Sequence, residues 1–332
     1  MNMYRDTFGT FDTVYLGGGT PSILSLHHIE KILNTVQKNF ILSSDTEITL
    51  EANPTDLTTN VPTSLIAMGV NRLSIGVQSF DKRVLTFLGR RHTAREARSA
   101  LENARRAGFT NIGTDLIYGI PGQSIDQWKD TLDETLIYTP EHLSCYELTV
   151  APETPLGRQQ RTGTISLPGQ EHQYALFITT SEVLEKAGYI HYEISNFAKN
   201  MKVLSRHNQK YWYHAPYLGL GPAAHSFAGN RRWWNHRSLS RYCTDTARGR
   251  RPVAETERLT TEQLRLEAFS LGLRTKSGIN VNDFYARYNY DILLEKKHIV
   301  RRLMEEGFVE VANGRLYPTR HGMAIADSLS QL

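Results

Sequence analysis

Short β-branched runs and longer helical stretches alternate from Thr13 to about Thr149, and most junctions carry a glycine or a proline. Val14-Tyr15-Leu16 reads as a strand entering Gly17-Gly18-Gly19-Thr20-Pro21, followed by a helix over Ser25–Asn39 with Ile29, Ile32, Leu33 and Val36 on one stripe. Glu47–Glu51 is a second strand closed by Asn53-Pro54, because proline disfavours helix in the residue before it. A short helix through Leu65 and Met68 stops at Gly69. Then come strand Arg72–Gln78, helices within Asp81–Leu88 and Thr93–Ala107, strand Ile112–Tyr118, helix Ser124–Tyr138 and strand His142–Val150. Strand-then-helix units at this spacing require right-handed crossovers and hence a parallel sheet or barrel. The first half is an α/β domain.

Parallel sheets place ligands at the carboxyl ends of their strands. That geometry singles out Gly17 to Thr20, Glu51, Asn53, Gln78 and Asp115, all expected at or just beyond strand ends. The glycine loop is not G-x-x-x-x-G-K-[ST], since no lysine follows at the right place. It is not G-x-G-x-x-G either, because Ser22 stands where the third glycine belongs. Three glycines still let backbone groups approach a ligand closely, since no Cβ intervenes.

The second half is less regular. Ala151–Gln170, with Pro152, Pro155, Gly157, Gly163 and Pro168, reads as a long irregular excursion, and a helix over Glu171–Lys186 stops at Gly188. Pro216–Ala228 is loop-like. Thr260-x-x-Gln263 is a capping box opening a helix through Leu264, Ala268 and Leu271. Asn280 caps a short helix, and Asp291 a third one running through Leu294, Ile299 and Leu303 to Gly307. Asn313-Gly314 is the favoured turn of a hairpin. Three helices and a hairpin read as a small winged-helix-like α+β domain. The expected boundaries are 12–200 for the parallel sheet or barrel, 201–255 for a connecting region and 256–332 for the C-terminal domain.

Composition narrows the function classes. A chain of 332 residues that is 40% hydrophobic holds roughly two domains of about 150 residues. A net charge of +4 is too small for an obligate nucleic-acid or membrane-surface binder. Two cysteines, Cys145 and Cys243, exclude a disulfide framework and fit a reducing cytosol. Alone they hold neither a four-cysteine zinc site nor an iron–sulfur cluster. Met1–Phe11 has no apolar core, so no signal peptide is expected. No stretch approaches the about 18 apolar residues of a membrane span, and a cytoplasmic location follows.

The runs YLGGGTPSILS, LEANP, NRLSIGVQSF, LGRRH, TDLIYGIPGQS and LSCYELT, in this order and spacing, resemble the radical SAM family, here its oxygen-independent coproporphyrinogen III oxidases and HemW haem chaperones. His207-Asn208-x-x-Tyr211-Trp212 resembles the HNxxYW motif of the HemW branch, which the oxidases lack. The resemblance implies a partial (β/α)₆ barrel with a small C-terminal domain, S-adenosylmethionine held at the top of the barrel, and haem as cargo for a haem-accepting protein. By that resemblance Gly18, Gly19 and Thr20 receive the methionine amino group through backbone atoms. Glu51, Gln78, Arg90, Asp115 and Thr149 match the family's further contacts to the cofactor. An arginine holds a carboxylate with two charge-assisted bonds, and carboxylates accept from ribose hydroxyls or an ammonium. His207 is the candidate ligand to haem iron, with Tyr211 and Trp212 packing on the porphyrin and Arg206 and Lys210 pairing with its propionates.

One departure stands out. The family's [4Fe–4S] cluster rests on a C-x₃-C-x₂-C loop upstream of the glycine turn, and none of the sixteen residues before Gly17 is cysteine. The sequence as it stands is therefore expected neither to ligate the cluster nor to form a 5′-deoxyadenosyl radical. A start assigned too late, a truncated product and a variant with another function all account for this. The strand at Val14–Leu16 is then expected at an exposed sheet edge, which invites pairing with another chain, a homodimer included. Two alternatives remain in view: the porphyrin-forming oxidase itself, and a nucleic-acid reader. The latter would use the seven arginines between Arg231 and Arg251, interleaved with Trp233 and Trp234, to track phosphates and stack on bases.

Overall fold

The structure is a computed structural model describing residues 1–329. Strands and helices alternate as β1 (Phe11–Leu16), α1 (Leu26–Asn39), β2 (Leu42–Ala52), α2 (Val61–Ala67), β3 (Arg72–Gln78), α3 (Lys82–Phe87), α4 (Ala94–Ala107), β4 (Ile112–Tyr118), α5 (Ile125–Ile137) and β5 (His142–Glu147). Local chemistry sets the helix starts. Thr93 opens α4 and Ser124 opens α5, each through a reciprocal capping box with Glu96 and Gln127.

After β5 come α6 (Pro155–Arg161), α7 (Gln170–Lys186), β6 (Ile190–Glu193) and β7 (Asn196–Ala198). The seven strands form one sheet in the order β1-β2-β3-β4-β5-β7-β6, so β1 stands at an edge. Strands β2 to β5 pair in parallel, as their alternation with helices requires, and the β6–β7 hairpin closes the far edge antiparallel to β5. The register sets polar residues of neighbouring strands side by side: Glu51 lies opposite Ser74, and Asp115 opposite Ser144. The core beneath is aliphatic, with Leu50, Leu73, Ile75, Leu116 and Leu143 fully buried. Each such side chain contributes about 1.5–3 kcal/mol. From α5, Trp128 joins this core and donates its indole N–H to Thr180 at 2.7 Å.

The stretch 151–170 departs from the irregular excursion expected of its composition. Thr154 accepts the Gly157 N–H at 3.1 Å and Pro155 occupies the first turn, so the Pro- and Gly-rich segment encloses a capped helix, α6.

The remaining elements are α8 (Arg206–Trp212), β8 (His225–Ala228), β9 (Arg231–Asn235), α9 (Leu239–Ala247), β10 (Val253–Arg258), α10 (Thr261–Gly272), β11 (Ile279–Asn280), α11 (Val281–Tyr288), α12 (Ile292–Glu295), α13 (Lys297–Glu305), β12 (Val309–Ala312), β13 (Arg315–Pro318), α14 (Arg320–Ala324) and α15 (Ala326–Leu329). Strands β8 to β10 make an antiparallel sheet in the order β10-β9-β8. The arginine-rich stretch spans β9, α9 and the turns that follow each, and Trp233 is buried in it. The Thr260 and Asn280 caps form as expected. The helix opened by Asp291 does not run through to Gly307, because the chain breaks at Lys296 into α12 and α13. The terminal hairpin gains β11 as a third strand, in the order β11-β13-β12. Its core is Leu273, Phe284, Ile292, Val300, Leu303 and Leu316.

Two compact units result. One comprises Thr13–Lys31 and Glu47–Ser205, and the other Met1–Asp12, Ile32–Thr46 and Arg206–Leu332. Among the described residues no helix is long and apolar enough to cross a membrane.

Candidate functional site

The first cluster lies in the barrel unit. Strand β1 ends at Leu16 and the chain turns through Gly17–Gly19, with φ of +81° at Gly18 and +80° at Gly19. Those two values lie in the region that only glycine adopts without strain. A Cβ added at either would meet nothing within 4 Å, so the space beside them is open to a ligand. Gly17 is glycine for another reason, since a Cβ there would meet the Tyr15 ring at 2.5 Å and Glu51 Oε1 at 3.0 Å. Glu51, near the end of β2, accepts the Tyr15 hydroxyl at 2.7 Å and the Gly18 N–H at 3.2 Å. Thr20 carries the chain into a single tight turn, its carbonyl accepting the Ile23 N–H at 3.1 Å.

Asp115 was expected at a strand end and instead sits in the middle of β4. The strand continues beyond it because Leu116 and Tyr118 fill the core. Both Asp115 oxygens accept from Ser74 Oγ at 3.1 Å. Burial pushes its carboxyl up to about 6, against the hydrogen bonds from Ser144 and Ser74, and the nearby Glu51 charge adds to the rise. Burial also raises the Tyr15 phenol, and the charges of Glu51 and Asp115 raise it further, so it remains a donor. Arg90 follows α3, and the negative charge of Asp115 opposes the lowering that desolvation imposes on its guanidinium. Glu51, Asp115, Tyr15 and Arg90 therefore form one electrostatic cluster.

Gln78 ends β3 at φ +65°, a conformation a non-glycine residue adopts at a cost, and it is buried. Its amide occupies the space a Cβ on Gly76 would need, at 2.8 Å. Thr149 is exposed, two residues past the end of β5. Asn53 is absorbed locally: its side chain accepts from the Thr55 N–H at 3.1 Å and caps a short turn. Sequence reasoning missed Tyr15 and Ser74. The signal for Tyr15 was its place two residues before the first glycine, and that for Ser74 was its register opposite Glu51.

The second cluster lies in the other unit. Helix α8 carries His207, Asn208, Tyr211 and Trp212 on its seven residues. His207 Nε2 lies 3.0 Å from the Tyr211 hydroxyl, one helical turn on, with the rings edge to face at 5.3 Å. Burial, then the charge of Lys210, pushes the imidazole down to about 4, so it is neutral at pH 7 with a lone pair to offer. Trp212 lies beneath the Arg274 guanidinium at 5.1 Å. The expected propionate partners are already engaged. Arg206 pairs with Asp45 at 3.1 Å and Asp12 at 3.5 Å, and Lys210 with Asp12 at 2.6 Å. Beside the helix, Tyr211 also lines a cavity of about 970 Å³ shared with residues of β8, β9, α10 and α11.

Part of the arginine-rich stretch is engaged within the chain. Arg232 is held by Glu267 at 2.6 Å, Arg251 donates to the Met3 carbonyl at 2.8 Å, and Trp234 is stacked against His225.

The two cysteines of the sequence lie elsewhere than the glycine turn. Cys145 is buried in β5 with its thiol pushed up by desolvation, and Cys243 is exposed on α9. Among the described residues no group of three or more His, Cys, Asp or Glu side chains is placed to hold a metal ion.

Known proteins resemble this chain in sequence and in fold. Residues 3–135 match the radical SAM superfamily and residues 259–325 the HemN C-terminal domain. The heme chaperone HemW of Bacillus subtilis is 33% identical over 318 residues, covering 96% of this chain and 84% of that protein. The chain belongs to the HemW family. A mitochondrial radical S-adenosyl methionine domain-containing protein 1 from Bos taurus is 34% identical over 338 residues, covering 96% of this chain and 74% of the relative. The HemW-family chain also shares its fold with Escherichia coli coproporphyrinogen III oxidase (HemN), a radical SAM enzyme. That match has a TM-score of 0.82 at 23% identity and covers 97% of this chain and 77% of the other. For a HemW-family chain the superfamily implies S-adenosylmethionine and an iron–sulfur cluster. The open glycine backbone and the two carboxylates fit the first, and the cysteines present do not fit the second.

Proposed function

We propose that this chain binds haem and passes it to a haem-requiring acceptor protein, while its barrel binds S-adenosylmethionine. The observation that supports the first part most directly is helix α8. It holds a neutral His207 one turn from Tyr211, and Tyr211 in turn lines an aromatic cavity. A neutral imidazole nitrogen is a standard axial ligand to haem iron. Coordination to His207 displaces the Tyr211 hydroxyl from Nε2 and requires no change in protonation at pH 7.

In the barrel, the Gly18, Gly19 and Thr20 backbone would receive the amino acid end of the cofactor. Arg90 would hold its carboxylate, and Glu51 and Asp115 would accept from its ammonium and hydroxyl groups, with Gln78 and Thr149 completing the contacts. S-adenosylmethionine supplies, when bound, a sulfonium that families of this kind cleave reductively. This chain's residues would bind and orient it, and Cys145 and Cys243 do not fit the cluster that would deliver the electron.

The test is an anaerobic haem titration followed by absorbance, beside His207→Ala. Saturation near one haem per chain, lost or spectrally altered in the variant, is the expected result. Equal binding by both proteins removes His207 as ligand, and no binding by the unmodified chain removes the haem reading.

A further inference from the structure

The cavity beside α8 contains chemistry that the motif does not account for. At about 970 Å³ it lies at the upper end of the range of about 300–1,000 Å³ typical of ligand sites. Flat rings line it, among them Tyr217, Phe227, Trp234 and Tyr290. Two imidazoles face it from outside the motif. His214 is 8% exposed, stacks flat on Phe227 at 4.4 Å and 6°, and approaches Glu267 Oε2 at 3.2 Å, while its Nδ1 has no hydrogen-bond partner among the described residues. His225, at the start of β8, is exposed, and its ring stacks on Trp234 at 5.5 Å and 25°. Stacking uses the face of the His225 ring and not its nitrogens, which lie in the ring plane, where a metal ion or a donor would approach.

The polar groups select among ligands. Acids and bases on the walls are equal in number: Glu257, Glu262 and Glu267 against Arg232, Arg265 and Lys296. A nucleotide, with two or more charges on one phosphate tail, would meet those three carboxylates without a phosphate cradle to offset them. A large planar ring with a metal at its centre and carboxylates at its rim meets a better match. The aromatic walls take the ring, an imidazole takes the metal, and Arg265 takes a carboxylate. Arg265 is the suitable cation because its pairing with Glu262, at 3.7 Å with the glutamate largely in water, is weak and exchangeable. Its guanidinium already lies over the Tyr290 ring at 4.0 Å.

We infer that this cavity is the seat of the tetrapyrrole and that His225, outside the motif, offers a ring nitrogen to its iron. The inference rests on the haem-binding reading and adds the place and a second ligand. The binding step forms one nitrogen–iron bond, displaces a water or weak ligand from the iron, and involves no electron transfer.

Two probes test it on the full chain: haem under anaerobic conditions, and metal-free protoporphyrin IX, which needs no iron ligand. Each is titrated into the unmodified protein, His225→Ala, His225→Gln, His207→Ala and Trp234→Phe. Far-UV circular dichroism confirms folding, and His225 is exposed, so its replacement leaves the core intact. His225→Ala and His225→Gln are expected to shift the Soret band and weaken haem binding about tenfold or more, while binding protoporphyrin as the unmodified chain does. Protoporphyrin is expected to quench tryptophan emission, and Trp234→Phe to remove a large part of that quenching. Unchanged haem spectrum and affinity in both His225 variants, with loss only in His207→Ala, overturn the inference and leave the haem reading standing. Quenching that Trp234→Phe does not reduce overturns the placement. No haem uptake by the unmodified chain overturns both.

Discussion

In the barrel, Glu51 accepts from Tyr15 and Gly18, and Asp115 from Ser74. Around α8 and its neighbouring cavity the reverse holds: Trp212 Nε1 and His214 Nδ1 are buried with no hydrogen-bond partner among the described residues. The first site is held rigid by its own hydrogen bonds. The second retains uncompensated polar groups, each costing about 1–3 kcal/mol if left unsatisfied. A site of the first kind suits a small cofactor bound the same way each time. A site of the second kind suits cargo that must enter and leave.

The sharpest way to break this comparison is Gly17→Ala. The new Cβ would overlap the Tyr15 ring at 2.5 Å, and overpacking of this sort costs about 1–3 kcal/mol. Urea denaturation should show that loss, and calorimetry should show weakened S-adenosylmethionine binding. An unchanged midpoint would mean that Tyr15 moves aside freely and that the barrel site is not held rigid. Tyr15→Phe comes next, removing one hydrogen bond to Glu51 worth about 1 kcal/mol, read in the same denaturation experiment.

The two sites should also answer acid in opposite senses. Asp115 has its pKa raised from 3.8 to about 6, so its contribution to stability is complete below about pH 3.8 and is lost as pH rises through 6. His207 has its pKa lowered from 6.5 to about 4, so its contribution is complete above pH 6.5 and is lost as pH falls through 4. Relative to the unmodified chain, Asp115→Asn should gain stability between pH 5 and 7, and His207→Gln should lose less stability between pH 6 and 4. Denaturation midpoints across that range check both, and parallel profiles would show that the two sites are electrostatically alike. The smallest effect is expected of Asp12→Asn. It removes the partly exposed ion pairs of Asp12 with Lys210 and Arg206, the latter keeping Asp45, at a cost of at most about 1 kcal/mol, measured by thermal melting.

Much of the barrel was legible in the sequence because parallel strands are buried on both faces and end abruptly. Arg72–Gln78 and Ile112–Tyr118 appear at the bounds read from their β-branched runs. The site residues at those strands followed from topology, although Asp115 proved to lie a turn of the pleat inside β4. The region from 190 to 258 was not legible in this way. Its strands are short and antiparallel, with charged and aromatic residues on faces that no regular alternation reveals, so β8 read as loop and β9 and β10 gave no strand signal. The cavity was hidden for the same reason, since its residues come from elements spread between Tyr211 and Lys296 and share no spacing. The helix at Pro155–Arg161 was hidden by composition, although Thr154 and Pro155 together are a starting signal.

Gln78 carries a consequence of its own. A non-glycine side chain in the left-handed region costs about 1–2 kcal/mol relative to a relaxed backbone, and glycine would adopt the same turn without that cost. Gly76 has meanwhile given up its own side chain so that the Gln78 amide has room. Two neighbouring positions thus sacrifice local stability for one amide group at the mouth of the barrel. Backbone strain of this kind collects where a site needs a side chain held in place, and here it holds the Gln78 amide.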